Sequence, residues 1–334
     1  MHIDLVPIWT LILGVSVFMY VLLDGFDLGI GILYPMAHGD DARSVMMNTI
    51  APIWDGNETW LIMGGMGLLA AFPLAFAIIV PALYFPLLLM LLGLIFRGVA
   101  FEFRLKKTSH RRWWDLSFFA GSTAATFFQG VVLGMYVEGF TVTGRAFSGT
   151  SFDWARPFPL ATGVGLLFGY AMLGATWLVM KTEGDLQQWA RRCALIALYG
   201  VLAFIAMVSV VTPILHPQIA ERWFSTPNIY YLALVPLITA AIALIAWRAL
   251  RRNADYVPFI GAMGLFAMCY LGLGISLFPY VVPYSVTLWD AAAVPSAQMF
   301  LLIGTLFLLP IIIMYTGWSY YVFRGKVRAD TGYH

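Results

Sequence analysis

Nine long apolar stretches follow one another along the chain, separated by short polar connections. A bilayer core takes about 20 consecutive apolar residues per helix, and each stretch is long enough to cross one. The pattern predicts spans near 8–34, 47–71, 74–96, 116–138, 158–180, 194–215, 229–247, 257–279 and 295–323. The expected fold is an all-α polytopic membrane protein, a single transmembrane domain over residues 1–334. The longest connections, near 140–157 and 100–115, are too short to enclose a core of their own. Any chemistry therefore belongs within the membrane or on a partner.

Composition agrees, with 61% hydrophobic and 11% charged residues and a mean hydropathy of +0.84. The distribution of charge adds an orientation. One set of alternate connections carries Arg43; Arg97, Arg104, Lys106, Lys107, Arg111 and Arg112; Lys181, Arg191 and Arg192; Arg248, Arg251 and Arg252; and Arg324, Lys326 and Arg328, which is 16 of the 19 basic residues. The other set holds only Arg145, Arg156 and Arg222. Because retained positive charge marks the cytoplasmic face, the amino terminus is expected outside and the carboxyl terminus inside, as an odd span count requires. The first stretch lacks a positive leading region and a small-residue cleavage site, so it is expected to stay as a helix. A formal charge of +2 gives no reason to expect nucleic acid. Cys193 and Cys269 suggest neither a disulfide framework nor a metal site. No phosphate loop, dinucleotide glycine pattern or nucleophilic triad stands in a plausible context. Gly25, Gly29, Gly31, Gly64, Gly65 and Gly67 read as close helix packing. No internal repeat is visible.

The polar residues inside these stretches are the candidate chemistry. Asp24 and Asp27, in LLDGFDLGIG, share a helix face in the cytoplasmic half of the first span. A carboxylate at a helix centre costs about 2.5 to 3.5 kcal/mol even on a lenient insertion scale, so both should face protein or water. Asp55 and Glu58, in PIWDGNETWL, share a face of the second span, and Arg97, Glu102, Arg104 and Lys106 leave the membrane on the third. Two readings stand together. Arg97 and Arg104 neutralise some of these acids, with Asp24, and fix helix register; or the acids pass protons inward through trapped water. Gln129 either extends that path or bonds a neighbouring helix. Glu138 and Asp290 lie at outer helix ends, and TLWD at 287–290 reads as a capping box.

His2, His38, His110, His216 and His334 all fall at termini, in loops or at span ends. A buried b-type haem usually takes an axial His, so the chain is poorly equipped to hold one alone. The 16 Met residues read as packing. Trp113, Trp114, Trp154, Trp223, Trp289 and Trp318 fit an interfacial belt. Trp54 and Trp60 flank the acid-rich turn instead, either as packing or as the lining of a path for a small apolar molecule or a quinone ring.

The stretches DGFDLGIG (24–31), NTIAPIWDGNETWL (48–61), FRGVAFEFR (96–104), FPYVVPYSVTLWDAA (278–292) and PIIIMYTGWSYYVFRGKV (310–327) together resemble subunit II of the cytochrome bd-type quinol oxidases, in order and over nearly the whole chain. The length resembles the compact, cyanide-insensitive branch. The resemblance implies nine helices in two four-helix bundles plus a peripheral helix, paired with a subunit I in the bacterial cytoplasmic membrane. It further implies that the pair oxidises quinol and reduces oxygen to water, with two haems b and haem d on subunit I. By the same resemblance Asp55, Glu102 and Lys106 match a cytoplasmic proton path, Trp60 a position near oxygen access and Asp27 the second acid of the GFD motif; Asp27 and Glu58 are taken with that path as candidate proton carriers. Glu58 stands where some relatives have Gln, and Glu102 where some have Asp. A structural quinone in this subunit and a small single-helix third subunit are open points of the analogy.

The alternative is a secondary transporter in which the same acids bind a coupling ion, with Pro52, Pro73, Pro81 and Pro86 available to break helices. The odd span count and the missing repeat stand against it.

Overall fold

The structure, a computed structural model, describes residues 4–106 and 111–327 except for the side chains of Leu105 and Lys106. His2, Lys107, His110, Arg328 and His334 also lie outside the described residues. The chain folds almost wholly into helices: α1 (Val6–Leu33), α2 (Asp40–Asn48), α3 (Trp54–Ala71), α4 (Pro73–Ala82), α5 (Tyr84–Lys106), α6 (Arg111–Glu138), α7 (Pro157–Lys181) and α8 (Gly184–Leu215), then α9 (Pro217–Phe224), α10 (Asn228–Leu232), α11 (Leu234–Arg251), α12 (Val257–Leu277), α13 (Leu288–Ala291) and α14 (Pro295–Val322). Two small antiparallel hairpins, β1 (Val142–Thr143) with β2 (Ala146–Phe147) and β3 (Tyr280–Val282) with β4 (Val286–Thr287), complete it.

Proline punctuates the chain. It stands at the first or second position of α1, α4, α7, α9, α12 and α14, where its missing N–H is no loss and its fixed φ suits the first turn. The capping box expected at TLWD is present, with the Thr287 hydroxyl accepting from the Asp290 backbone and the Asp290 carboxylate from the Thr287 backbone. It caps the one-turn α13 rather than the long apolar helix that follows.

Eight helices among the described residues are long and apolar enough to cross a bilayer. The other expected span, 47–71, divides: α2 is short and polar, residues 49–53 form a turn, and only the 18 residues of α3 run on. With Asp55 and Glu58 in its first turns, α3 falls below the hydropathy of the other eight. The expected span 74–96 also divides. Leu83 separates α4 from α5, because Pro86 has no N–H to give back across the break, and α5 then continues ten residues past 96.

α1 lies at the centre, packed against α3, α6, α7 and α12, and from Leu22 to Leu33 every one of its residues is buried. α5 packs on α6, α6 on α7, α7 on α8, and α11 on α12. α14 touches chiefly α3 and leaves most of its length exposed. The close approaches depend on glycine. A Cβ on Gly29 would fall 1.8 Å from the Tyr170 carbonyl oxygen on α7, and one on Gly121 2.8 Å from the Arg97 backbone nitrogen on α5. Two apolar clusters result. The larger holds the carboxyl-terminal half of α1 with α3 and α5 to α8, and the smaller gathers the amino-terminal end of α1, α4 and the β3–β4 hairpin.

Candidate functional site

The carboxyl-terminal half of α1 carries Asp24 and Asp27 into the larger cluster, at 1% and 0% exposure. The Gly93–Gly121 crossing of α5 on α6 places Arg97, itself 0% exposed, against them. Arg97 Nη1 lies 2.5 Å from Asp24 Oδ1 and 3.3 Å from Glu58 Oε1, and Nη2 lies 4.0 Å from Asp27 Oδ2. The guanidinium also stands 5.6 Å from the centre of the Trp54 ring. One buried cation thus serves three carboxylates from two helices.

Asp27 has a second support. The Asn57 amide donates to its Oδ2 at 2.7 Å, and the Tyr320 hydroxyl on α14 donates to Asn57 Oδ1 at 2.9 Å. Asp24 Oδ2, Asp27 Oδ1, and Nε and Nη2 of Arg97 remain enclosed with no hydrogen-bond partner among the described residues. Glu58 is the member that opens outward, its side chain 27% exposed. Asp55, one turn earlier on α3, is exposed, and so is Glu102 on α5.

The structure therefore gathers Asp24, Asp27, Glu58 and Arg97 in one place and sets Asp55 and Glu102 at the surface. The Lys106 side chain lies outside the described residues. Arg104 does not join the membrane acids: it reaches Asp115 at 2.6 Å and Asp40 at 2.9 Å, with the Tyr34 hydroxyl donating to the same Asp115 at 2.9 Å. Arg104 is thus a structural charge partner of carboxylates on α2 and α6, whereas Arg97 serves those of α1 and α3. Asp40 and Asp115 follow from α2 and the early start of α6 at residue 111, two elements the apolar pattern does not mark. Trp60 is buried at 1% in the wall of the larger cluster, and its indole N–H has no hydrogen-bond partner among the described residues. Asn57 and Tyr320 were legible only as polar residues in apolar surroundings, 263 positions apart.

Two apolar surface grooves, of about 540 and 660 Å³, share Tyr270 and Phe278; the first runs along the amino-terminal half of α1 and the second lies between α12 and the α9–α10 segment. Neither is lined by Trp60 or by any acid of the cluster.

The sequence profile of the cytochrome bd terminal oxidase subunit II family matches residues 5–323. The chain belongs to that family. It is 31% identical to the cytochrome bd-I ubiquinol oxidase subunit 2 of Escherichia coli strain K12 over 363 aligned positions, covering 97% of this chain and 95% of that one. It is likewise 31% identical to the cytochrome bd ubiquinol oxidase subunit 2 of Bacillus subtilis strain 168, covering 96% of each. The bd oxidase structure from Geobacillus thermodenitrificans superposes with a TM-score of 0.74 at 18% identity, over 96% of this chain and 99% of that chain, and shares the fold. The protein is thus a multi-span membrane subunit of a respiratory quinol oxidase, an oxidoreductase complex in which a subunit II is partnered by a subunit I. Family membership removes the ground for the transporter reading.

Two of the five histidines, His38 and His216, lie among the described residues. His38 is exposed in a turn, and His216 ends α8 at a position stacked on Tyr284, with ring centres 4.5 Å apart. Neither projects from the middle of a membrane helix, where a buried haem takes its axial ligand. Among the described residues, no histidine is placed to fit the group.

Proposed function

We propose that this subunit supports a haem-bearing subunit I and takes up protons for it from the cytoplasmic side, through Glu58 into the buried pair Asp24–Asp27. The observation that carries the reading is the charge count of the enclosed site. Two carboxylates at most 1% exposed share one guanidinium, and the third carboxylate links them to the surface. Burying an unbalanced charge is costly, so an arriving proton is a natural fourth member of the group. Asp27, farther from Arg97 than Asp24 is, is the acid that receives it. Asp55 and Glu102 gather protons at the surface near the same end, with Lys106 four residues after Glu102 in sequence.

In this reading α3 crosses the membrane as the ninth span, its acids turned toward α1 and its partner. α1, α3, α5 and α6 form one four-helix bundle, α7, α8, α11 and α12 the other, and α14 the peripheral helix. The amino terminus is outside and the carboxyl terminus cytoplasmic, in the bacterial inner membrane. Two haems b and haem d sit on subunit I, where quinol is oxidised and oxygen reduced to water, and the potential arises from proton uptake on one side without pumping. Trp60 borders the oxygen route, a quinone held structurally belongs to the apolar surface, and a small single-helix subunit completes the complex.

The test is the assembled oxidase in liposomes, with Asp27→Asn and Asp55→Asn compared with the parent. Oxygen consumption and membrane potential should both fall in Asp27→Asn, and less in Asp55→Asn, which is exposed. Unchanged rates and potential in both variants would reject the proton role while leaving the family assignment intact.

A further inference from the structure

Polar side chains continue from the acid cluster one helical turn toward the outer side. Tyr20 stands four residues before Asp24 on α1, and hence on the same face. The Gln129 amide on α6 donates to the Tyr20 hydroxyl at 2.5 Å, and the Tyr170 hydroxyl on α7 donates to the Gln129 carbonyl oxygen at 2.7 Å. None of the three is more than 9% exposed. Two hydroxyls and one amide carbonyl make a chain that is one acceptor short whichever way the amide faces. In the observed arrangement the surplus proton belongs to Tyr20, whose oxygen already accepts from Gln129.

The missing acceptors and donors lie one turn inward. Asp24 Oδ2 is enclosed without a donor, and Nε and Nη2 of Arg97 are enclosed without acceptors. Tyr20 lies within electrostatic reach of Asp24, Arg97 and Glu58, and Tyr170 within reach of Asp24. A buried polar group left unpaired costs about 1 to 3 kcal/mol, and here several sit side by side. A water molecule offers two donors and two acceptors and settles where 2 to 4 polar partners converge.

We infer that at least one enclosed water is bound between the Tyr20 hydroxyl, the free oxygen of Asp24 and the unpaired nitrogens of Arg97, with Gln129 and Tyr170 closing it on the outer side. The water accepts from Tyr20 and Arg97 and donates to Asp24. Gln129 is a positioning residue, because its amide occupies the Tyr20 oxygen and so turns the hydroxyl proton inward. It is also the stop. An amide does not take up and release protons as a carboxyl or hydroxyl does. The next polar side chains outward, Ser16 and Thr162, bond carbonyls of their own helices. Beyond them α1 and α6 present Leu13 and Met135, both buried.

The groups facing the site are Asp24, Asp27 and Tyr20 on α1, Glu58 on α3, Arg97 on α5 and Tyr170 on α7, with Tyr320 of α14 behind Asn57. The hydration follows from hydrogen-bond accounting alone; only its use in proton transfer rests on the proposed function. A cryo-electron microscopy map of the assembled oxidase, at a resolution that shows buried waters elsewhere, reads it directly. The expected result is ordered density within hydrogen-bond distance of both the Tyr20 hydroxyl and Asp24. Tyr20→Phe should lose that density, together with the corresponding enclosed-water O–H band in infrared difference spectra on deuterium exchange. Gln129→Met, which keeps shape and removes both bonds, should displace or weaken it. A parent map with other buried waters resolved and none here overturns the inference, even if neither variant assembles. Water present with Asp27→Asn fully active would sink the proton reading and leave this one standing.

Discussion

At the scale of single residues, Arg97 decides whether the inner half of α1 can exist in a membrane. It neutralises Asp24 at 2.5 Å and is shared with Glu58 and Asp27. Removing one partner of a buried ion pair leaves an uncompensated charge, a loss of about 3 to 5 kcal/mol. Arg97→Met should therefore abolish or sharply reduce assembled complex, read by thermal melting and by yield after mild-detergent purification. Arg97→Met combined with Asp24→Asn should recover part of the loss; no recovery would show that the guanidinium acts through something other than charge. Tyr320→Phe removes the donor to Asn57 Oδ1 and should cost about 1 to 3 kcal/mol, also seen as a lowered melting temperature. Asp24 and Asp27 were legible in the sequence, since their spacing and their apolar surroundings force them onto one protected face. The pairing of Arg97 with Asp24 was legible only as a candidate. Two basic residues leave the membrane together on α5, and nothing in their spacing says that Arg97 turns inward while Arg104 turns to Asp40 and Asp115.

Among the elements, small residues set the distances on which the site depends. A Cβ at Gly29 would collide with the α7 backbone, which cannot move aside as a flexible side chain can. Gly29→Ala should therefore separate α1 from α7 and destabilise the subunit by about 3 kcal/mol or more, at the upper end of overpacking costs. Gly65 on α3 has open space around its missing Cβ. Gly65→Ala should be neutral or stabilising by up to about 1 kcal/mol, as helix propensity alone dictates, and paired melting curves of the two variants check both. Apolar stretches identified α1, α7, α12 and α14 to within a few residues. They ran the second span through the turn at 49–53 into the last two residues of α2, and missed the break at Leu83. Hydropathy averages over a window and does not register which backbone N–H groups lose their partners at Pro52 and Pro86.

Across the whole molecule, the segment after α14 straps the carboxyl-terminal end of α7 to the turn between α11 and α12. The Lys181 ammonium donates to the carbonyls of Phe323 and Gly325, and the Val327 N–H donates to the Lys181 carbonyl at 2.8 Å. Asp255 receives Arg191 at 2.6 Å and Lys326 at 2.7 Å. Partial burial by itself would lift the Asp255 carboxyl, but the Lys326 ammonium and the Arg191 guanidinium outweigh it and hold its pKa below the ordinary aspartate value. The clasp is therefore complete above the ordinary carboxylate range and is lost as pH falls through the lowered native value. Being partly exposed, it contributes about 1 kcal/mol or less. Limited proteolysis of the tail should accelerate on acidification, and Asp255→Asn should show the fast rate at neutral pH; equal rates in both proteins would discard the clasp. If the orientation is as proposed, a cysteine placed at Arg145 is labelled by an impermeant reagent from outside and one at Arg252 only from inside. By itself the sequence determined that this chain lives in a membrane as a helical subunit of its family, because burying apolar stretches and retaining basic loops are costs summed residue by residue along the chain. Only the tertiary structure decided which charges meet. That depends on helix crossings between residues as far apart as Asp24 and Arg97, 73 positions in sequence, where a contact depends on rotation and approach that no local pattern encodes.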